Sequence, residues 1–196
     1  MVFLKYLTII YSSQLNHRYF EYSINTILYQ RGLYPPDYFS RVQKYGLPMV
    51  IAKQEDLYRY ISNMVSQVKA WIESNDLHTL VLVIYGIDSQ RVLERWTFGV
   101  ETDPEVAQSR GSVTREKDLN QIQKEIQAII RQITASITFL PLHEEQCSFE
   151  ILVYTNRNAE VPLKWEDSDP HFIPNAETVK LRSFSTNVSE DLPCEV

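Results

Sequence analysis

Residues 130–141, IRQITASITFLP, close the most regular apolar pattern in the chain. Apolar residues recur every three or four positions from Leu119 to Ile137, which predicts an amphipathic helix of about five turns. Seven apolar positions on one stripe indicate that this helix lies in the core, and Pro141 ends it. We expect the chain to become extended just before the proline, at Thr138 and Phe139.

Similar patterns predict the remaining regular elements. The predicted helices cover residues 13–30 and 55–74, where apolar side chains keep helical spacing. The predicted strands cover residues 79–85, 91–100 and 148–154, which are rich in β-branched residues or alternate between polar and apolar. Helices clustered on one face of an antiparallel sheet define a single α+β domain.

The segments between these elements are less regular. Residues 49–51 indicate short extended pieces, and residues 179–184 have strand potential within an otherwise irregular C-terminal part. Residues 101–116 are polar and contain Pro104 and Gly111, so we expect an exposed, mobile loop. The apolar N-terminal residues 1–11 are too short to cross a bilayer and lack the flanks of a signal peptide, which favours a packing strand or a mobile arm.

Composition excludes several classes of protein. The 196 residues carry a net charge of -6, which argues against a general nucleic-acid binder. Cys147 and Cys194 lie far apart, so we expect no disulfide framework and a reducing compartment. No segment predicts a membrane interaction.

A search for catalytic or metal-binding motifs finds none. The five glycines form no phosphate-binding loop, there is no GxSxG motif, and the four histidines have no metal-ligand spacing. His143 and Cys147 lie close in sequence, but we interpret residues 143–147 as a solvated turn before a buried cysteine. We therefore expect no enzyme, no cofactor and no metal. A small cytosolic hydrolase stays as the alternative from a different class, and a pocket with a nucleophile–base pair would favour it.

Five segments resemble one known family. They are residues 21–34 (EYSINTILYQRGLY), 41–47 (RVQKYGL), 93–98 (LERWTF), 130–141 and 181–187 (LRSFSTN). Together they resemble the HORMA-domain proteins of the spindle assembly checkpoint, the mitotic-arrest-deficient "two" family, and the resemblance runs from about residue 12 to residue 187. It implies a HORMA domain over 12–187, with three helices packed on a mainly antiparallel β-sheet and a mobile C-terminal safety-belt region over about 156–187.

The resemblance also implies a function. Members are adaptors that switch conformation, bind a partner segment as an added strand at the sheet edge and trap it with the belt. The implied partners are the kinetochore coiled-coil checkpoint receptor, the activator of the anaphase-promoting complex, which the adaptor helps to inhibit, and another copy or a related HORMA protein. An AAA+ remodelling ATPase is a further implied partner. The implied location is the nucleus and kinetochore, and also the cytoplasm.

Site residues follow from the resemblance by position. Arg131, Gln132 and Phe139 match the self-association surface, whereas without the resemblance an ordinary solvated helix face would be the favoured interpretation. Trp165, Arg182 and Phe184 fall in the safety belt, while Trp71 and Trp96 are assigned mainly to packing. The partner-receiving edge strand is implied to comprise Ser148, Phe149, Glu150, Ile151, Leu152, Val153 and Tyr154. The alternative for these residues is a plain core strand.

Both ends of the chain depart from the family pattern. Residues 1–11 form a divergent N-terminal arm, and residues 188–196 form a divergent, acidic tail that contains Pro193. Without the family's last strand we expect weakened belt closure, a bias to the open state and poor retention of peptides. The alternatives are another HORMA adaptor, of translesion polymerase or the meiotic axis, and a truncated form that self-associates without gripping a peptide.

Overall fold

A computed structural model describes residues 3–11, 17–102, 119–168, 171, 177–180 and 184–185, with side chains described for 18–100, 120, 123–168 and 171. The helices are α1 (His17–Gln30), α2 (Glu55–Glu73) and α3 (Leu119–Ile137). The strands are β1 (Phe3–Tyr11), β2 (Phe39–Lys44), β3 (Leu47–Ala52), β4 (Leu77–Gly86), β5 (Val92–Thr102), β6 (Cys147–Thr155), β7 (Glu177–Lys180) and β8 (Phe184–Ser185).

The main sheet has the strand order β6-β4-β5-β1-β7, with β8 also paired to β1. β4 runs antiparallel to both β5 and β6, whereas β1 runs parallel to β5, β7 and β8. β2 and β3 form a separate antiparallel hairpin. The predicted α+β class with three helices and an antiparallel sheet is confirmed, and the N-terminal residues add a parallel part that the sequence did not predict.

The core lies between the helices and one face of the sheet. Five isoleucines of α3, at 126, 129, 130, 133 and 137, are buried together with Trp96 and Phe98 of β5. α1 is the middle helix and contacts both α2 and α3. Because apolar residues keep a period of 3.6 in each helix, one stripe of each is removed from water, which is the main stabilising term for such elements.

Local sequence explains where the helices begin and end. The Gln54 side chain accepts a hydrogen bond of 2.8 Å from the Leu57 amide at the start of α2. Gly32, with a φ of 68°, follows α1, and the Leu33 amide donates to the Leu28 carbonyl at 3.1 Å. Inside the core, the Ala52 amide donates to the Asn25 side chain at 2.8 Å and joins α1 to β3.

Two local predictions are wrong. Thr138 and Phe139 are not extended, because the amides of residues 138–140 donate to carbonyls three positions back and prolong α3 as a tight turn. Residues 143–147 are not a fully solvated turn, since the His143 side chain is only 12% exposed and lies against Glu94. Residues 103–118, which include most of the predicted loop, lie outside the described residues, as do residues 186–196 with the divergent tail.

Candidate partner-binding site

β6 lies at one edge of the main sheet. Phe149, Ile151 and Val153 pack against the helical core. Because side chains alternate along a strand, Glu150 and Tyr154 lie on the opposite face, where the Tyr154 hydroxyl is 3.4 Å from Arg95. No described strand pairs with the outer side of β6, so half of its backbone groups face away from the sheet.

A groove of about 880 Å³ runs along this edge. One wall is α2, with Tyr60 and Met64, and the floor is β6 itself from Glu150 to Tyr154. The other wall is the chain that follows β6, with Pro162 and Trp165. We call residues 156–168 together with His171 the strap, because this segment spans the groove.

The strap is fastened first at its beginning. The Asn156 amide donates to the Asp76 carbonyl at 2.9 Å, and its side-chain amide donates to Asn75 and Asp76 at 3.2 and 3.0 Å. The Asn156 side-chain oxygen lies 2.7 Å from Nε2 of His78. These contacts join the strap to the turn between α2 and β4 and to the beginning of β4. The hydrogen bonds from Ser74 and Asn156 lower the pKa of the Asp76 carboxyl.

The second fastening lies on the helical face of the sheet. The Trp71 indole donates to the Glu160 carbonyl at 2.9 Å, and the rings of Trp71 and Trp165 meet edge to face with centroids 4.9 Å apart. Trp71 is therefore both a packing residue, as predicted, and an anchor of the strap. The structure brings Trp165 to the groove.

The third fastening lies on the opposite face. Nε2 of His171 is 2.7 Å from a carboxylate oxygen of Glu150, and both side chains are 33% exposed. Because Trp165 lies on the helical face and His171 on the other, the strap joins the two faces around the β6 edge. By Glu177 the chain is at the far edge of the sheet, beside β1.

Of the other two predicted belt residues, only Phe184 is described, and it lies away from this groove. Phe184 belongs to β8, where its backbone pairs with Ile9 of β1, and its side chain is not described. Arg182 lies outside the described residues. The expectation that the altered tail weakens closure therefore stays a prediction.

An aromatic hollow at the beginning of β6 was missed from the sequence. It encloses about 490 Å³, and Tyr34, Tyr38, Tyr60 and Phe149 line it. Tyr34 and Tyr38 stack with centroids 6.0 Å apart, and Tyr60 meets Phe149 edge to face at 5.5 Å. Burial raises the pKa of Tyr60, and Glu150 raises it further. The only feature of the sequence that could have indicated this hollow is the high tyrosine content.

The three residues assigned to self-association lie at the C-terminal part of α3. Arg131 is exposed, Gln132 is half-buried, and Phe139 is 85% exposed. Leu142, which was not predicted, is 88% exposed and lies three positions after Phe139 in the sequence. Two exposed apolar side chains so close in sequence are consistent with a contact surface.

A buried ionic cluster contacts the segment that follows α3. Arg31 forms an ion pair with Glu94, and both side chains are 3% exposed. Arg31 also donates to the Pro141 carbonyl at 2.7 Å, and the Trp96 indole donates to Glu94 at 3.2 Å. The cluster thus holds the segment after α3 against α1 and β5.

His143 completes the cluster, with Nε2 at 3.5 Å from Glu94. Burial lowers the pKa of His143, Glu94 opposes this, and Arg31 lowers the pKa further. The neutral imidazole is therefore favoured in the folded chain.

The part of the chain that the structure describes shows no cluster of metal-binding side chains. It holds no group of three or more potential metal ligands, and none of its helices is long and apolar enough to cross a membrane. Cys147, predicted as a small buried thiol, is partly buried, and its Sγ donates to the Glu145 carbonyl at 3.3 Å. Burial raises the pKa of this thiol.

Comparison with known proteins identifies the class to which this fold and edge belong. The family model of the HORMA domain matches residues 12–189. The mitotic spindle assembly checkpoint protein MAD2A of Dictyostelium discoideum is 51% identical over 177 residues, which cover 90% of this chain and 86% of that protein. The human MAD2A protein is 48% identical over 177 residues, with 90% and 85% covered.

A solved structure agrees. A chain in the crystal structure of the mitotic checkpoint complex is 44% identical and superimposes with a TM-score of 0.75, covering 85% of this chain and 87% of that chain. The chain therefore belongs to the HORMA-domain family, and within it to the MAD2 proteins of the mitotic spindle assembly checkpoint.

Proposed function

We propose that this protein is a spindle assembly checkpoint adaptor that binds a partner segment as an added strand on β6 and encloses it with the strap. The observation that supports this most directly is an edge strand whose outer side is paired by no described strand and which is spanned by a segment fastened on both faces of the sheet. Outward-facing backbone groups of β6 offer hydrogen bonds to an extended segment, and alternate side chains of that segment fit the groove.

The proposed partners are the coiled-coil checkpoint receptor of the kinetochore and the activator of the anaphase-promoting complex. Binding of the activator inhibits the ligase, so the protein acts by binding and not by catalysis. We place it in the nucleus, at kinetochores and in the cytoplasm, where these partners operate. The unit that carries the function is residues 12–187, with the belt over about 156–187.

A second proposed surface consists of Arg131, Gln132 and Phe139. It contacts another copy of the chain or a related HORMA protein, and an AAA+ ATPase is proposed to remodel the assembly. The exposure of Phe139 supports this, because a phenylalanine 85% exposed at the end of a buried helix is covered most simply by a partner. Identities near 50% to checkpoint proteins favour this branch over the HORMA adaptors of translesion polymerase and the meiotic axis.

Hydrogen exchange with and without partner peptides tests the main proposal. Synthetic segments of the receptor and of the activator are added to the full chain, and we expect protection of the amides of residues 148–154. Leu152→Arg, which places a charge in the groove, should weaken binding at least tenfold. Ile87→Arg, at an exposed site in the β4–β5 turn, is the matched control. Binding that leaves the β6 amides unprotected would show that the segment docks elsewhere.

A further inference from the structure

We propose that the contact between His171 and Glu150 is the clasp that opens to let a partner segment reach the β6 edge. This rests on the proposed function, because it concerns how the same groove is reached. A segment in the middle of a long partner chain cannot be threaded end-first under a strap that stays fastened on both sides. One fastening therefore has to open before the segment binds and close after it.

The beginning of the strap is the least suited to open. Asn156 makes four polar contacts there, with its backbone amide, its side-chain amide and its side-chain oxygen all engaged. Asn156 also directly follows β6, so the strap cannot move away from the sheet at this point without unpairing the end of the strand.

The middle fastening is also costly to open. Trp71 is 2% exposed, and separating it from the strap would remove both the indole hydrogen bond to Glu160 and the edge-to-face contact with Trp165. Exposing the faces of two indole rings to water is a large apolar penalty.

The clasp consists of a single contact between two side chains that are each one-third exposed. When a pair of side chains is in contact with water, water molecules can replace the hydrogen bond between them. This fastening therefore opens at a lower free-energy cost than the other two. Glu150 lies in the middle of the proposed pairing segment of β6, and therefore its release uncovers the edge where a segment must dock.

Hydrogen exchange on the full chain without any partner tests the clasp. In Glu150→Gln and His171→Gln we expect the Trp165 amide, which donates to the Pro162 carbonyl at 2.9 Å within the strap, to exchange about two- to five-fold faster, as loss of a partly exposed side-chain contact predicts. The double variant should equal the single ones, because both remove the same contact. The exchanged pair, Glu150→His with His171→Glu, should restore the slow rate.

Glu144→Gln is the matched control, since it removes an exposed carboxylate shortly before β6. The clasp is refuted if the single variants behave like this control, or if their effects add.

Binding kinetics test the opening step. A twelve-residue peptide selected by phage display on the wild-type chain serves as the probe. Opening at the clasp predicts that both the association and the dissociation rate constants rise about two- to five-fold in His171→Gln, with little change in Kd. A rise in dissociation alone would mean that the pair retains the segment without controlling its admission, and would overturn the proposal. Failure to select any peptide would count against the proposed function, whereas the exchange result without a partner would still stand.

Discussion

Among single residues, Glu94 joins three separate parts of the chain in the core. This buried carboxylate of β5 contacts Arg31 after α1, the indole of Trp96, and His143 after α3. Removing one partner of such a cluster leaves the others buried without compensation, which costs about 3–5 kcal/mol. The sequence did not predict this cluster. Residues 31, 94 and 143 lie far apart, with no regular spacing, and they belong to no common motif.

His143 makes the stability of the chain depend on pH. Burial lowers the pKa of His143, so the unfolded chain takes up the proton first as the pH falls. The contribution of the neutral His143 side chain to the free energy of unfolding is therefore complete above the ordinary pKa of histidine, about 6.5, and is lost as the pH falls below that value. Arg31, Glu94 and Glu145 are the charged groups that act on the imidazole. Urea unfolding between pH 8 and pH 5 should show wild type losing stability relative to His143→Gln. Parallel pH curves for the two proteins would contradict this.

Phe139 provides a second prediction at this scale. Phe139→Ala should abolish self-association while changing the free energy of unfolding by less than about 0.5 kcal/mol, because the ring is 85% exposed. Light scattering after gel filtration measures the mass. Tyr58→Ala removes another exposed ring, on α2, and should leave association unchanged. If both variants lose association equally, the surface does not lie at the end of α3.

Among the elements, α3 was the most predictable and the strap the least. The helix was predicted to its last residue, Ile137, because a long apolar stripe determines both secondary structure and burial. The strap has no periodicity, and its position depends on Trp71, Asp76 and Glu150, which lie 80 or more residues earlier or on the preceding strand. Trp165 was assigned to the belt only through family resemblance.

The buried stripe of α3 predicts a clear loss of stability. Ile133 has no exposed surface, so Ile133→Ala should cost about 2–5 kcal/mol through lost burial and the remaining cavity. Chemical denaturation measures the difference. Ile87→Ala, at a position 40% exposed, is the control and should cost less than about 1 kcal/mol. Equal losses at the two positions would mean that α3 does not form part of the core.

At the scale of the whole molecule, the position of β1 determines how distant parts of the sequence come together in the main sheet. β1 lies between β5 and the strands β7 and β8, so described strands from the N-terminal and C-terminal parts of the sequence pair in one sheet. The sequence left these first residues as a strand or an arm, because an apolar run identifies neither its partners nor its direction. Parallel pairing between residues so far apart produces no local pattern.

Deletion of residues 1–11 tests this arrangement. β1 is the only described partner of β7 and β8, so the deletion should expose residues 177–185 to limited proteolysis while β4, β5 and β6 stay protected. Mass spectrometry of the fragments identifies the cleavage sites. A duplicate digestion of Phe139→Ala controls for changes in association. Unchanged cleavage would show that the C-terminal strands are held by something other than β1.

The same strand has a consequence for how the protein is made. Phe3 pairs with Glu177, so β1 leaves the ribosome long before β7 has been synthesised and can pair with it. At about 5–20 residues per second this delay is on the order of 10–40 seconds, during which an apolar segment stays without one of its neighbours. Such distant parallel pairing folds slowly and exposes nascent chains to aggregation. We therefore expect newly made protein to depend on chaperones until synthesis is complete.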